Sequence, residues 1–217
     1  MIKCIIFDCD GTLVDSEVLC NLGLEMKLKE FGIQANLQSM VNRFRGWKLA
    51  NIVDVLAQEY NLELDETFIT SYRELVGDLF NSQLKPISNV AIALEKIPQP
   101  KCVASNAPLE KIKQAVQVTN LEHFFDNNLF SSYVVQAWKP EPDLFLYAAK
   151  KMGVHPKNCV VVEDSIVGIE AAQRAGMKSF FYQPNKFALS QVDNIISFQD
   201  MLELPGLIVD SSNEVTV

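Results

Sequence analysis

The sequence has 217 residues, of which 48% are hydrophobic, and its formal net charge is −8 at pH 7. This length and hydrophobic fraction allow one large domain or a core with a smaller partner, and they argue against a disordered chain. The negative charge argues against general affinity for nucleic acid. No apolar run approaches the ~20 residues of a membrane span, and no signal-peptide segment is evident. We therefore expect a cytoplasmic protein with neither a membrane nor a nucleic-acid partner.

The chain opens with the apolar segment 4–7, which predicts a buried strand that leads into Asp8, Cys9 and Asp10. Side chains alternate along an extended backbone, so Asp8 and Asp10 are expected on the same side, with Cys9 on the other. At roughly 4–5 Å, two carboxylates repel by about 3–4 kcal/mol in an effective dielectric near 20. This pair therefore favours a bound cation.

Helical periodicity fills the long interval before the next apolar strand pattern. Apolar residues recur at intervals of three and four in three stripes: Val18, Leu22 and Met26; Leu49, Ile52, Val53 and Leu56; Phe68, Tyr72, Leu75 and Leu79. The spacing predicts an inserted helical domain over 16–84, with these stripes in its core. Residues 1–15 and 85–217 are then expected to form the other domain.

The second half of the chain alternates strand and helix patterns. Strands are predicted at 102–104, 159–162 and 179–182, and helices are predicted near 108–118, 142–152 and 166–175. This alternation is typical of an α/β protein with a doubly wound parallel sheet, a Rossmann-like core. Ligands of such sheets bind at the carboxyl ends of the strands.

Polar residues follow these predicted strands. Ser105 and Asn106 stand where the next helix begins, and a hydroxyl with backbone N–H groups at a helix N-terminus can hold phosphate. Glu163 and Asp164 follow the strand at 159–162 and are expected beside the first acid pair. Four acids need a divalent ion, and an all-oxygen ligand set favours Mg²⁺ over Zn²⁺. Lys139, between Trp138 and Pro140, supplies a cation.

The five cysteines are odd in number and form no Cys-x-x-Cys motif, so we expect reduced and mostly buried thiols at positions 4, 9, 20, 102 and 159. We expect His123 and His155 to be surface residues. Trp138 is interpreted as a packing residue, with contact to a substrate as the alternative.

The segment from Asp8 to Ser16 resembles motif I of the haloacid-dehalogenase-like hydrolases, Asp-x-Asp-Gly-Thr-Leu-x-Asp-Ser. Within them the chain resembles the β-phosphoglucomutase-like phosphatases over roughly 2–183. Ser105, Lys139 and the Glu163-Asp164 pair look like motifs II, III and IV. The resemblance implies that the helical domain is a cap that closes over the active site.

The resemblance also implies roles for these residues. Asp8 is expected to attack phosphorus and form an aspartyl-phosphate, and Asp10 to act as general acid and then general base. The expected Mg²⁺ ligands are the Asp8 carboxylate, the Asp10 backbone carbonyl and Asp164. Glu163 is either a further ligand or a partner through water. The phosphate is expected to contact Lys139 together with Ser105 and Asn106.

Substrate choice is expected to depend on the predicted cap. Arg43, Arg45 and Lys48 cluster around Gly46, and Arg45-Gly46 matches the Lys/Arg-Gly of the subfamily's substrate loop. A solvated charge run is the alternative. Three cations suit a sugar-acid phosphate better than a neutral sugar phosphate. The resemblance implies a Mg²⁺-dependent phosphatase, which we expect to be a monomer. Its substrate is a small phosphorylated metabolite, with 6-phosphogluconate the best single expectation.

Two alternatives stay open. A sugar phosphomutase would use the same aspartyl-phosphate, but Cys20 and Leu49 stand where the mutase pattern has histidine and arginine. A regulatory module that accepts phosphate on an aspartate would also fit Asp8 and Lys139. Such modules are near half this length and have no use for a helical cap or for Asp10.

Overall fold

The structure is a computed structural model that describes residues 1–44, 47–184 and 195–213. Contacts divide the chain into two compact units. One comprises Met1–Val14 and Pro86–Val217, and the other comprises Asp15–Lys85. The predicted domain boundaries lie one residue from these limits, whereas the role of the second unit as a cap stays a prediction.

The larger unit is built on a parallel sheet. Within the described residues, six strands pair in the order β3-β2-β1-β4-β5-β6, with the bounds β1 Cys4–Phe7, β2 Lys101–Ser105, β3 Leu129–Ser131, β4 Cys159–Glu163, β5 Lys178–Tyr182 and β6 Ile195–Phe198. The central strands β1 and β4 are adjacent, which is the point where the direction of winding reverses. The predicted doubly wound α/β fold is confirmed, and β3 and β6 are additions to it.

The smaller unit is helical over its described residues, with α1 Glu17–Glu30, α2 Leu37–Phe44, α3 Leu49–Tyr60 and α4 Glu66–Gln83. Asp65 begins α4 as its N-cap, because its side chain accepts a hydrogen bond from the Phe68 N–H at 3.0 Å. Gly23 lets α1 approach α4 closely, since a Cβ there would lie 2.6 Å from Val76. The predicted helical character of this segment is confirmed.

The predicted core stripe of α1 is wrong. Val18 and Met26 are 44% and 42% exposed, and Leu22 is only half-buried. The buried face of α1 lies on another side of the helix and includes polar and small residues: Leu19, Asn21, Gly23, Leu24, Lys27 and Leu28. Polar and small residues on a buried face interrupt the apolar period, so the exposed stripe was the more regular one.

The helices of the α/β unit are α5 Val90–Lys96, α6 Leu109–Val118, α7 Ser132–Val135, α8 Asp143–Lys151, α9 Ile166–Arg174 and α10 Leu204–Asn213. The three predicted helices match α6, α8 and α9 to within a residue at each end. Helices α8 and α9 pack on the sheet face that carries Cys4, Ile6 and Val161. On the opposite face, the Phe7 and Phe125 rings lie 6.2 Å apart.

All five cysteines are free, and all but the half-buried Cys20 are buried, as the sequence predicts. None of the helices in the described part of the chain combines the length and the apolar character that a membrane crossing requires.

Candidate active site

Asp8 directly follows β1 and is only 6% exposed. Its N–H donates to the Val162 carbonyl at 2.9 Å, which ties the end of β1 to β4. Cys9 is buried, and the half-buried Asp10 comes next. Gly11 then turns the chain with a φ of +84°, a left-handed conformation that favours glycine.

Asp164 follows the neighbouring strand β4 and lies against the turn after β1. Its carboxylate accepts a hydrogen bond from the Thr12 hydroxyl at 3.1 Å, and a Cβ on Gly11 would overlap that carboxylate. Ligand oxygens of Asp8, Glu163 and Asp164 lie within 4.8 Å of one another and could hold a metal ion. Three of the four predicted acids, Asp8, Glu163 and Asp164, therefore meet at adjacent strand ends.

Lys139 brings a buried cation to these acids. It is 3% exposed, and its ammonium donates to the Asp8 carboxylate and to Glu163 Oε1 at 2.6 Å. The Phe145 ring lies 4.9 Å from the same nitrogen. Lys139 therefore orients the proposed nucleophile by holding Oδ1 of its carboxylate.

Glu163 has hydrogen bonds on both carboxylate oxygens. Oε1 accepts from Lys139, and Oε2 accepts from the N–H and the hydroxyl of Ser165 at 2.7 and 2.8 Å. A Cβ on Gly168 would overlap this carboxylate, so the absence of a side chain there makes room for Glu163. These contacts favour Glu163 as the residue that holds Lys139 in place.

The electrostatics of the site favour a bound divalent cation. Burial raises the pKa of Asp8 to about 8; nearby Glu163 and Asp10 shift it the same way, and Lys139 opposes them. Burial alone would lower the pKa of Lys139, but Asp8 and Glu163 raise it above its usual value. Among the described residues, four carboxylates and two ammonium groups lie here, which is a formal charge of −2 when every group is ionised. The donor set fits Mg²⁺, whose ligands are hard oxygens.

Ser105 and Asn106 lie at the end of β2. Ser105 is 2% exposed, and its hydroxyl accepts from the Ala107 N–H at 3.1 Å. Asn106 Oδ1 accepts from the Ser132 hydroxyl at 2.7 Å and from the Lys139 N–H at 2.9 Å. Asn106 thus joins the end of β2 to the segment that carries Lys139, in addition to its predicted contact with phosphate.

Sequence reasoning missed Lys111. Its ammonium donates to both carboxylate oxygens of Asp10, at 2.9 and 3.0 Å. Nothing local in the sequence distinguishes this residue from the solvent-facing lysines of an amphipathic helix such as Lys113. Only the parallel pairing of β1 with β2 brings the start of α6 close to Asp10.

The predicted specificity residues belong to the helical unit. Arg43, at the end of α2, pairs with Glu59 at 2.6 Å, and its guanidinium lies 4.9 Å from the Phe44 ring. Lys48 is exposed at the N-cap of α3. Arg45 and Gly46 lie outside the described residues, so their predicted role stays a prediction.

The two histidines and Trp138 lie where the sequence analysis expects them. His123 and His155 are exposed, as expected. Trp138 is half-buried and packs edge-on against Tyr133, with ring centroids 5.5 Å apart. Its interpretation as a packing residue agrees with this contact.

Comparison with known proteins identifies the family. The model of the family described as haloacid dehalogenase-like hydrolase matches residues 5–182. The chain belongs to this family. The predicted resemblance is therefore confirmed.

Two curated relatives of this hydrolase are named phosphatases. It is 40% identical to 6-phosphogluconate phosphatase of Escherichia coli K12, over 95% of this chain and 94% of that protein. It is 30% identical to the fructose-1-phosphate phosphatase YqaB of the same organism, over 80% of this chain and 92% of that protein. The predicted enzyme class, phosphoric monoester hydrolase, is confirmed.

A solved structure has the same fold as this hydrolase. It is a haloacid dehalogenase-like protein of unknown function from Agrobacterium tumefaciens, with a TM-score of 0.81 and 28% sequence identity. The match covers 98% of this chain and 100% of that one. The fold seen here is thus the fold of the family.

Proposed function

We propose that this hydrolase is a Mg²⁺-dependent phosphatase of small sugar or sugar-acid phosphates that forms an aspartyl-phosphate on Asp8. The observation that carries the proposal is the buried contact of Asp8 with Lys139, beside Asp164 and Glu163 at adjacent strand ends. A nucleophilic carboxylate with a fixed cation and further acids suits transfer of a dianionic phosphoryl group.

In the first step, an Asp8 carboxylate oxygen attacks phosphorus, and the bond from phosphorus to the leaving oxygen breaks. Asp10 donates a proton to that leaving oxygen, which departs as an alcohol. Lys139 remains between Asp8 and Glu163, where its charge offsets the charge of the phosphoryl oxygens. The Ser105 hydroxyl and the backbone N–H groups where α6 begins provide hydrogen bonds to those oxygens.

In the second step, water attacks phosphorus, the bond to Asp8 breaks, and Asp10 takes the proton of the water. Inorganic phosphate leaves and Asp8 is restored. Mg²⁺ held by the carboxylates of Asp8 and Asp164 and the carbonyl of Asp10 would supply positive charge to the phosphoryl oxygens. Glu163 contributes by holding Lys139, because both of its oxygens already accept hydrogen bonds.

We propose 6-phosphogluconate as the first substrate to test. The 40% identical relative from Escherichia coli bears that substrate's name, and the other relative described above is named for a second sugar phosphate. Arg45 and Lys48 of the helical unit are proposed to select the sugar-acid part. Arg43 is the weaker candidate of the three, since Glu59 already pairs with it.

The test is release of inorganic phosphate from a panel that includes 6-phosphogluconate, fructose 1-phosphate, glucose 1-phosphate and a nucleotide. We expect 6-phosphogluconate to give the highest kcat/KM. Asp8→Asn keeps the shape of the side chain but removes the nucleophile, so activity is expected to fall by about 1,000-fold or more. Asp210→Asn, an exposed position on α10, is the matched control.

Two results would contradict the proposal. Full activity of Asp8→Asn would remove the nucleophile assignment. Conversion of a sugar phosphate to its isomer, without free phosphate, would select the phosphomutase alternative instead.

A further inference from the structure

The ion pair between Lys111 and Asp10 joins parts of the chain that are distant in sequence. Lys111 lies in the first turn of α6, and Asp10 follows β1, yet the ammonium contacts both oxygens of the carboxylate at 2.9 and 3.0 Å. About a quarter of each side chain is exposed, 28% for Lys111 and 27% for Asp10. The contact is therefore partly shielded from water.

A second lysine on the same helix forms an ordinary ion pair on the protein surface. Lys113 pairs with Glu110 one turn away, and its side chain is 46% exposed while that of Glu110 is 82% exposed. Such exposed ion pairs contribute little to the stability of the fold. Lys111, by contrast, contacts the residue that the proposed mechanism uses for both proton transfers, and it contacts both of its oxygens.

We propose that Lys111 is a positioning residue for Asp10, an inference that rests on the proposed function. An aspartate side chain has two rotatable bonds, and a contact to both oxygens fixes both of them. Strand β2 supplies the Ser105 hydroxyl and helix α6, which follows it, supplies Lys111. One β2-α6 segment therefore sets the phosphate contact and the acid/base geometry together. Proton transfer depends strongly on such geometry, because small misplacements of a reacting group cost up to about 100-fold in rate.

The test compares esters that differ in their need for an acid. Alkyl phosphates such as 6-phosphogluconate need a proton on the leaving oxygen, whereas p-nitrophenyl phosphate releases a stable anion without one. Lys111→Met is expected to lower kcat on the alkyl ester by about 10- to 100-fold with KM changed less than about 2-fold. The initial burst of p-nitrophenolate, which reports the first step alone, is expected to change less than about 3-fold.

A double-mutant cycle tests whether Lys111 acts through Asp10. In an Asp10→Ala background, Lys111→Met is expected to cause no further loss, because there is no carboxylate left to position. Lys111→Arg should restore part of the alkyl activity, since it keeps the charge. Lys113→Met is the matched control on the same helix and is expected to behave as wild type. Thermal melts of each variant report whether it folds.

The proposal would be overturned if Lys111→Met lowered kcat on the alkyl ester and the initial burst of p-nitrophenolate by the same factor. A further loss of activity on adding Lys111→Met to Asp10→Ala would also overturn it. Lack of rescue by Lys111→Arg together with a lowered melting temperature would assign Lys111 a structural role only, which also overturns it. Failure of the proposed function is a different result, since the wild-type chain and Lys113→Met would then release no phosphate at all.

Discussion

At the residue scale, the two carboxylates at the end of β4 are held in different ways. Asp164 accepts a hydrogen bond from Thr12, whereas the oxygens of Glu163 accept hydrogen bonds from Lys139 and Ser165. The adjacent acids therefore differ in how they can meet a cation. Asp164 is the better candidate for direct contact with the metal, and Glu163 acts on the lysine.

This difference predicts different metal responses. A ligand that binds only the folded state stabilises it, by about 2.7 kcal/mol at a concentration 100 times Kd. Mg²⁺ is expected to raise the melting temperature of the metal-free protein. Asp164→Asn should largely abolish the rise, and Glu163→Gln should retain most of it. Differential scanning fluorimetry with and without Mg²⁺ measures this, and an equal loss in both variants would contradict the assignment.

Gly168 makes a second residue-scale prediction. A Cβ at this position overlaps the Glu163 carboxylate, which cannot withdraw without losing Lys139 or Ser165. Gly168→Ala is therefore expected to destabilise the protein by about 1–3 kcal/mol and to lower kcat by about 10-fold or more. Urea unfolding and phosphate release provide the two measurements.

Gly206→Ala is the matched control, because Gly206 is exposed on α10 and a Cβ there meets no atom within 4 Å. This change is expected to be neutral or to stabilise by up to about 1 kcal/mol. A loss in Gly206→Ala as large as that in Gly168→Ala would contradict the assignment to the space around Glu163, because helix propensity favours alanine at both positions.

At the element scale, strands were predictable where apolar runs were dense. The segments 4–7 and 159–162 are buried throughout and gave β1 and β4, with the acids at their ends. The three-residue strand β3 was missed, since Leu129 and Phe130 are only half-buried at the sheet edge. The four-residue strand β6 was missed at the other edge. Short edge strands show a weak apolar pattern in the sequence, because fewer of their side chains are buried.

Some residues of the candidate site could be predicted from the sequence and others could not. The positions of Asp8, Asp10, Ser105, Glu163 and Asp164 could be predicted because each is the last residue of a strand or lies within three residues of its end. The place of Lys111 depends on how far α6 extends over the end of β1, and a helix pattern does not encode that distance. The buried face of α1 was missed for a related reason, since Gly23 contributes through close packing with α4 and not through hydrophobicity.

The start of α4 gives an element-scale prediction. Asp65→Ala removes the side chain that accepts from the Phe68 N–H, so a cost of about 0.5–2 kcal/mol in the free energy of unfolding is expected. Glu63→Ala, exposed and just outside the helix, should stay within about 0.5 kcal/mol of wild type. Urea titration monitored by circular dichroism measures both, and equal stability of the two variants would contradict the capping role.

At the scale of the whole molecule, the burial of the cysteines reports on the integrity of the core. Cys4, Cys102 and Cys159 lie in one cluster on one face of the sheet, and burial raises the pKa of the Cys9 thiol well above its usual value. Reactive thiols need exposure and a low pKa. Native protein should therefore react with a thiol reagent at Cys20 alone.

Mass-spectrometric mapping after brief labelling tests this prediction. All five cysteines should react once denaturant is added, which is the control for reagent access. Fast labelling of Cys4 or Cys159 in the native protein would show that the sheet opens on the time scale of the experiment, contrary to the packed core described here.

The central claim is that Asp8 carries the phosphoryl group. In Asp10→Asn, hydrolysis of the aspartyl-phosphate should slow, while p-nitrophenyl phosphate still phosphorylates the enzyme because its leaving group needs no acid. Acid quench, digestion and mass spectrometry are predicted to find one phosphoryl group on Asp8. A burst of p-nitrophenolate with no phosphoryl group on Asp8, or with that group on another residue, would contradict the account.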